Sequence, residues 1–130
     1  MERDLELWKK ILLKVEELPI GNFLSSPVEI EGYEQAIVTE HVRLLQEKRY
    51  IEAKIDLELL TYDLVGAPRI EGYEIYRLLN DGHDFVANAK NPTVWKKTVN
   101  FLAQKGGGGS LAILQGVLTR VASEHFLGNI

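Results

Sequence analysis

A helical pattern that runs almost directly into a strand pattern, over residues 33–55, limits the possible folds more than any other part of the 130-residue sequence. Apolar residues recur at three- and four-residue spacing from Ile37 to Leu45, which predicts an amphipathic helix with one face against a core. Only two residues separate this helix from the β-prone or apolar positions of residues 50–55. A helix that enters a strand in this way, with a second strand and a helix after it, has the element order of a winged helix-turn-helix. We therefore predict an α+β fold: a winged helix-turn-helix-like domain with a small antiparallel sheet and extra C-terminal helices.

The flanking patterns supply the other elements of such a domain. A first helix over residues 2–18 should end where Pro19 prevents its continuation. Residues 28–30 alternate as a short strand that would pair with the later wing, and residues 73–78 read as the returning strand of that wing. Residues 56–69 fit either a strand with a long hairpin or a turn of helix.

After the wing, the sequence predicts three more helices. Asn80 is expected to cap a short helix, and Asn91 is expected to cap the next one, with Pro92 in its first turn. A glycine-rich run then forms a flexible joint before the closing helix. The predicted division is a winged-helix-like domain with the following helix over residues 1–105, a glycine hinge over 106–110 and a C-terminal amphipathic helix over 111–130.

The closing helix is apolar over a wide surface. Its apolar positions include Leu111, Leu114, Val117, Leu118, Val121 and Phe126. A surface of this kind needs to be covered, either by the helix's own domain or by a second copy of the chain. We expect a homodimer that forms through this helix.

Composition excludes several classes of site and partner. Cysteine is absent, which rules out disulfides and thiolate metal sites and suits a reducing compartment. No apolar run approaches the roughly 18 residues needed to cross a bilayer, so we expect a cytoplasmic protein without a membrane partner. The net charge of −4 is unevenly divided, because residues 1–75 carry 16 acidic and 9 basic side chains and residues 76–130 carry 3 and 6. An acidic first part removes the usual electrostatic signal of nucleic-acid binding.

Residue types that perform catalysis or bind metals do not cluster in the sequence. The three histidines lie about 42 residues apart, and no two of them have the short spacing of a metal-ligand pair. No serine or cysteine nucleophile motif is present, and the four-glycine run lacks the Lys-Ser/Thr of a phosphate-binding loop. We therefore expect no catalytic residue, no metal and no cofactor, and a protein that is not an enzyme.

Three segments carry a family resemblance. They are the opening E-R-D-L-E-L-W-K-K-I-L-L-K-V-E, the segment I-E-G-Y with the following H-V-R-L-L-Q-E and I-E-A, and L-N-D-G-H-D-F-V with N-P-T-V-W-K-K. Together they resemble an uncharacterised family of short bacterial and phage proteins, domain of unknown function 2513, over most of residues 1–105. The resemblance implies no established activity, and a fold does not carry a function with it.

The middle segment is also similar to bacterial winged-helix repressors, whose reading helix often ends in a leucine pair, an acidic residue and a helix-stopping glycine. Arg49 stands at the stopping position here, and little room remains for a separate second helix between Ile30 and Tyr33. If this helix enters a major groove, four of its side chains can meet base edges, and two further cations can touch phosphate. The predicted nucleic-acid-binding residues are Gln35, Thr39, Glu40 and Arg43 for the bases, and Lys48 and Arg69 for phosphate.

Two functions from different classes follow. The first is a DNA-binding or transcription-regulating factor of a phage or mobile element, with double-stranded DNA as its partner. The second is a non-enzymatic protein-interaction module, an inhibitor or adaptor, whose acidic surface binds a host or phage protein. The charges of the predicted reading helix bear on the choice, because three glutamates there balance Arg43, Lys48 and Arg49.

Overall fold

Five helices and a three-stranded antiparallel sheet form the described part of the computed structural model, residues 4–62, 68–104 and 111–127. In chain order the elements are α1 (Leu5–Glu16), β1 (Leu24–Ser25), α2 (Gln35–Glu47), β2 (Ile51–Tyr62), β3 (Pro68–Leu78), α3 (Asn80–Ala89), α4 (Pro92–Gln104) and α5 (Leu111–Leu127). The predicted α+β class is confirmed, and so is the strand that follows α2 almost directly. The glycine hinge predicted at residues 106–110 lies outside the described residues.

The three strands lie in the order β1, β3, β2, and both contacts are antiparallel. β2 and β3 form a long hairpin that pairs Ile51 with Leu78 at its base. These two strands include residues 56–62 and 68–69, the described residues of the segment that the sequence left open. A strand with a long hairpin is therefore confirmed there, and a turn of helix is wrong.

The first strand lies earlier in the chain than the sequence predicted. β1 pairs with β3 through Leu24 and Ser25, whereas residues 28–30 belong to no strand. The N–H of Val28 donates to the Tyr73 hydroxyl at 3.1 Å instead of to a strand carbonyl. The side chains at both ends of 28–30 are buried in the core. Their alternation therefore reflects a loop packed against the core and not strand pairing.

One hydrophobic core joins the sheet to all five helices of the described chain. Trp8 on α1 and Phe85 on α3 are its largest fully buried side chains. α5 packs against α3 and α4 and contributes Leu114, Leu118 and Ala122, which are buried. One face of α5 is thus covered within the chain, so the predicted homodimer has only the rest of that helix available to it.

α2 ends at a left-handed residue that is not glycine. Arg49 has a φ of 60°, and its N–H donates to the Gln46 carbonyl at 3.0 Å. The N–H of Tyr50 donates to the Leu45 carbonyl at 3.0 Å. These two bonds form a Schellman motif, in which glycine is the usual left-handed residue because an L side chain there costs about 1–2 kcal/mol. The chain turns from helix to strand in the space of three residues by this motif.

The entry into α3 depends on a close approach between two backbones. A Cβ on Gly82 would overlap the carbonyl oxygen of Tyr50 and would lie 3.1 Å from its carbonyl carbon. That oxygen accepts the N–H of Leu79 at 2.9 Å. The first turn of α3 is therefore fitted against the junction of α2 and β2, and only glycine leaves the necessary space.

The two predicted asparagine caps have different outcomes. α3 begins at Asn80 with the extended Leu79 as its N-cap residue, so the predicted Asn80 cap is wrong. The extended backbone continues through Leu79, and the helix begins at Asn80 itself. The predicted Asn91 cap is confirmed, because its Oδ1 accepts the N–H groups of Thr93 and Val94 at 3.0 and 3.1 Å.

Candidate interaction surface on α2

The outward side of α2 carries most of the side chains that the sequence predicted for base reading. On the opposite side, Val38, Val42 and Leu45 are buried, and they fix the rotation of the helix about its axis. The outward residues, named the α2 face from here on, are Gln35, Thr39, Glu40, Arg43 and Glu47. They are exposed or half-buried, so a partner could reach them.

Arg43 lies at the centre of the α2 face and is held by two carboxylates of its own helix. Its Nη2 donates to Glu40 Oε2 and its Nη1 donates to Glu47 Oε1, each at 2.7 Å, while its Nε donates to both oxygens of Glu40 at 3.2 and 3.3 Å. The hydrogen bond to Glu40 raises the pKa of Arg43 above its ordinary value, although partial burial acts in the opposite direction. These three side chains together carry a charge of −1 and not the positive charge that an isolated arginine would offer.

The two ion pairs of Arg43 are weak enough to be exchanged. The three side chains are each more than a third exposed, so solvent screens the attraction. Helical pairs at these spacings contribute about 0.3–0.5 kcal/mol each. A partner could therefore displace Arg43 at a cost of about 1 kcal/mol, but it would have to overcome the two remaining carboxylates as well.

The remaining predicted contacts are only partly brought together. Gln35 Nε2 donates to the Val28 carbonyl at 3.3 Å and so helps to hold the loop before α2. Lys48 is exposed at the C-terminal end of α2. Arg69 lies on β3 with its Cα opposite Glu58, roughly 23 Å along the hairpin from the end of α2 at about 3.3 Å per residue. The structure thus places five of the six predicted residues on or beside α2 and the sixth far along the hairpin.

The hairpin beside the α2 face is also acidic. The side chains that the structure describes on its two strands, at residues 51–56 and 72–78, include three acidic and two basic ones. One of the cations, Arg77, donates to Glu52 on the neighbouring strand at 3.2 Å. Phosphate contacts require positive charge at the contacting surface, so this balance opposes a DNA-bound wing.

Two residues outside the predicted binding set help to determine the structure of α2 and its outward face. Glu47 supplies the second carboxylate on Arg43, and its position four residues further along a helix was a signal that could have revealed the pair. His41 is fully buried, accepts the N–H of Asp4 on Nε2 at 3.0 Å and donates from Nδ1 to the Ile37 carbonyl at 2.8 Å. It therefore ties α2 to the start of α1, and its place on the buried stripe of α2 was visible in the spacing.

Residues 4–62, 68–104 and 111–127 contain neither a metal-binding cluster nor a membrane-spanning helix. No three His, Asp or Glu side chains of these residues come together as a metal site. None of the helices in the same residues has the length and apolar character that crossing a membrane requires.

Comparison with known proteins gives one match. A family model described as hypothetical protein (DUF2513) matches residues 2–108, so α5 lies outside the matched segment. Neither the curated proteins nor the solved structures contain a match.

Proposed function

This chain belongs to the DUF2513 family of hypothetical proteins, and because that description assigns no activity we propose its function from the α2 face: a non-enzymatic protein-interaction module, an inhibitor or adaptor, that binds a basic segment of a protein partner in the cytoplasm. The observation that carries the proposal is the attachment of Arg43 to Glu40 and Glu47. A negative surface of this kind attracts cationic partners and repels phosphate.

The chemistry of recognition follows from the same three side chains. A lysine or arginine of a partner can take over one carboxylate while Arg43 keeps the other, so no charge is left unpaired on binding. The hairpin that follows α2 adds further exposed carboxylates at Glu52 and Asp56. Such a surface gives fast, salt-sensitive association and selects partners by charge.

The test compares two labelled probes, an arginine-rich helical peptide and a mixed-sequence DNA duplex, by fluorescence anisotropy at about 50 and about 200 mM salt. The variant Glu40→Gln/Glu47→Gln removes both carboxylates and changes the charge of the cluster from −1 to +1. We expect the variant to bind the peptide roughly three- to tenfold more weakly than the wild type. A matched control, Glu17→Gln/Asp84→Asn, makes the same change in net charge at two exposed positions away from α2, the residue after α1 and the middle of α3.

The control decides what the result means. If only the α2 variant loses peptide affinity, the α2 face is the binding surface, and the same pair of proteins can then be used to identify the natural partner. Equal losses in the variant and the control would show an effect of net charge alone and would refute the proposal.

A second function, DNA binding, is favoured by a different observation. The sheet order β1, β3, β2 and the direct passage from α2 into the hairpin are the arrangement expected of a winged helix. On this hypothesis the protein regulates transcription in a phage or mobile element, and a partner-induced release of Arg43 would let it reach a guanine edge. The described chain departs from the arrangement in one respect, because β1 and α2 are joined by a loop without a helix.

The duplex arm of the experiment tests this second function. DNA binding predicts that the Glu40→Gln/Glu47→Gln variant gains affinity for duplex, because Arg43 is freed, and that binding weakens steeply with salt. Binding to genomic operator fragments no tighter than to bulk competitor DNA at low salt would rule it out.

A further inference from the structure

α5 has a second exposed stripe beside the face that it buries in its own domain. Ile113, Gly116, Arg120, Glu124 and Leu127 follow one another at spacings of three and four residues, which places them in one line along the helix. All five are exposed, and Leu127 has 66% of its surface accessible to solvent. The stripe named here is separate from the α2 face and carries no part of the function proposed above.

A groove of about 420 Å³ runs between this stripe and α4. Phe101 from α4 and Val117 and Val121 from α5 give it an apolar lining, and Arg120 and Glu124 lie on its edge. Gly116 leaves an opening in the wall, because a Cβ built on it would meet no atom within 4 Å. Glycine in the interior of a helix costs about 0.5–1 kcal/mol relative to alanine, and nothing within the described chain uses the space that it leaves.

The two charged residues on the edge of the groove, Arg120 and Glu124, can pair with the same two residues of a second copy of the chain. Arg120 Nε donates to Glu124 Oε1 at 3.2 Å, and both side chains are more than two-thirds exposed. A stripe with one cation and one anion a single turn apart matches a second copy of itself in the antiparallel direction, because the order of the charges is then reversed. Two-fold contacts between identical chains require this kind of self-complementarity.

The register of such a pair can be worked out from the spacing. If Leu127 of one α5 fits into the opening above the partner's Gly116, residues whose numbers add to 243 lie opposite each other. Arg120 then lies one residue, or about 1.5 Å along the axis, from the partner's Glu124. The apolar contact and the charge contact are therefore satisfied by the same alignment.

We propose that this stripe of α5 is a homodimer interface, in which α5 of one copy lies antiparallel on α5 of a second copy with Leu127 above the partner's Gly116 and Arg120 beside the partner's Glu124. A 17-residue helix is about 25 Å long, so one such contact is smaller than a standard stable interface. The dimer is accordingly weak, with a dissociation constant in the micromolar range.

The test is sedimentation velocity of the full chain over a range of concentrations that spans the micromolar region. The variant Gly116→Trp fills the opening, and since nothing in the chain occupies that space the monomer remains folded. We expect it to weaken the dimer at least tenfold. Ala87→Trp, which introduces the same side chain at an exposed position on α3, is the control and should leave dimerisation unchanged.

Charge reversal tests the register separately from the apolar contact. Arg120→Glu places like charges opposite each other in the pair and should weaken the dimer, whereas the double variant Arg120→Glu/Glu124→Arg should restore it. A wild-type chain that stays monomeric throughout, a Gly116→Trp variant that dimerises as the wild type does, or a double variant without recovery would each overturn the proposal.

Discussion

Replacing Arg49 by glycine should stabilise the protein, which is the opposite of what truncating a surface arginine normally does. The residue ends α2 with a φ of 60° and its side chain is exposed. The backbone bonds of the Schellman motif come from main-chain atoms alone, so Arg49→Gly preserves them. The change removes a steric conflict between Cβ and the backbone and little else.

The expected magnitude is the difference of two terms. Relief of the left-handed conformation is worth about 1–2 kcal/mol. Glycine also reduces the free energy of unfolding by about 0.4–1 kcal/mol, because it makes the unfolded chain more flexible. The net gain in the free energy of unfolding is about 0.5–1 kcal/mol, which corresponds to a rise of about 2–4 °C in Tm for a chain of this length.

Urea denaturation followed by circular dichroism measures this gain directly. With a slope of about 2 kcal/mol per molar urea, the midpoint should increase by about 0.3–0.5 M while the slope stays constant. Arg49→Ala is the matched control, because it removes the same charge and side chain but keeps a Cβ at positive φ. Its stability should remain within about 0.5 kcal/mol of the wild type.

The two variants together can refute the reasoning. If Arg49→Ala gains as much as Arg49→Gly, the arginine side chain and not the backbone conformation is responsible. If glycine gives no gain over alanine, then the junction carries no strain that glycine can relieve.

Two further predictions concern the same junction. Gly82→Ala should lower the free energy of unfolding, measured by urea denaturation, by at least about 2 kcal/mol. Alanine normally favours a helix, but here its Cβ would overlap the Tyr50 carbonyl oxygen. The control His83→Ala, at the exposed neighbouring position, should change the free energy of unfolding by no more than about 0.5 kcal/mol. Burial, and secondly the negative charge of Asp81, raises the pKa of Tyr50 to about 12 from 10. Because the pKa of Tyr50 is higher in the folded than in the unfolded chain, the native state loses up to about 2–3 kcal/mol of stability as pH rises from 10 toward 12. Tyr50→Phe should therefore flatten this part of the plot of unfolding free energy against pH. An unchanged slope in the variant would contradict the assignment.

The elements of the fold were largely predictable because each has a local cause. The spacing of apolar residues gives α2 its buried stripe, and the asparagine before Pro92 gives α4 its cap. The errors arose where a distant residue decides the local structure. Val28 has the alternation of a strand, but its N–H is taken by the hydroxyl of Tyr73, which is 45 residues away.

The candidate site shows the same limit. Counting charges along α2 was enough to predict that the helix carries no positive excess, and the residues on its outward face were chosen correctly from the helical period. The engagement of all three Arg43 nitrogens by Glu40 and Glu47 depends on side-chain rotamers, which the sequence does not specify. The closeness of Gly82 to Tyr50 depends on how two elements cross, which no local pattern encodes.

The position of α5 separates what is shared within the family from what folds as a unit. Family likeness ends at residue 108, yet Leu114 and Leu118 complete the core, and the Tyr50 hydroxyl donates to Gln115 at 3.3 Å. Without α5, the segment that the family model matches would leave apolar surface of α3 and α4 in water. In this chain α5 therefore belongs to the folded unit, although it lies outside the segment that the family model matches.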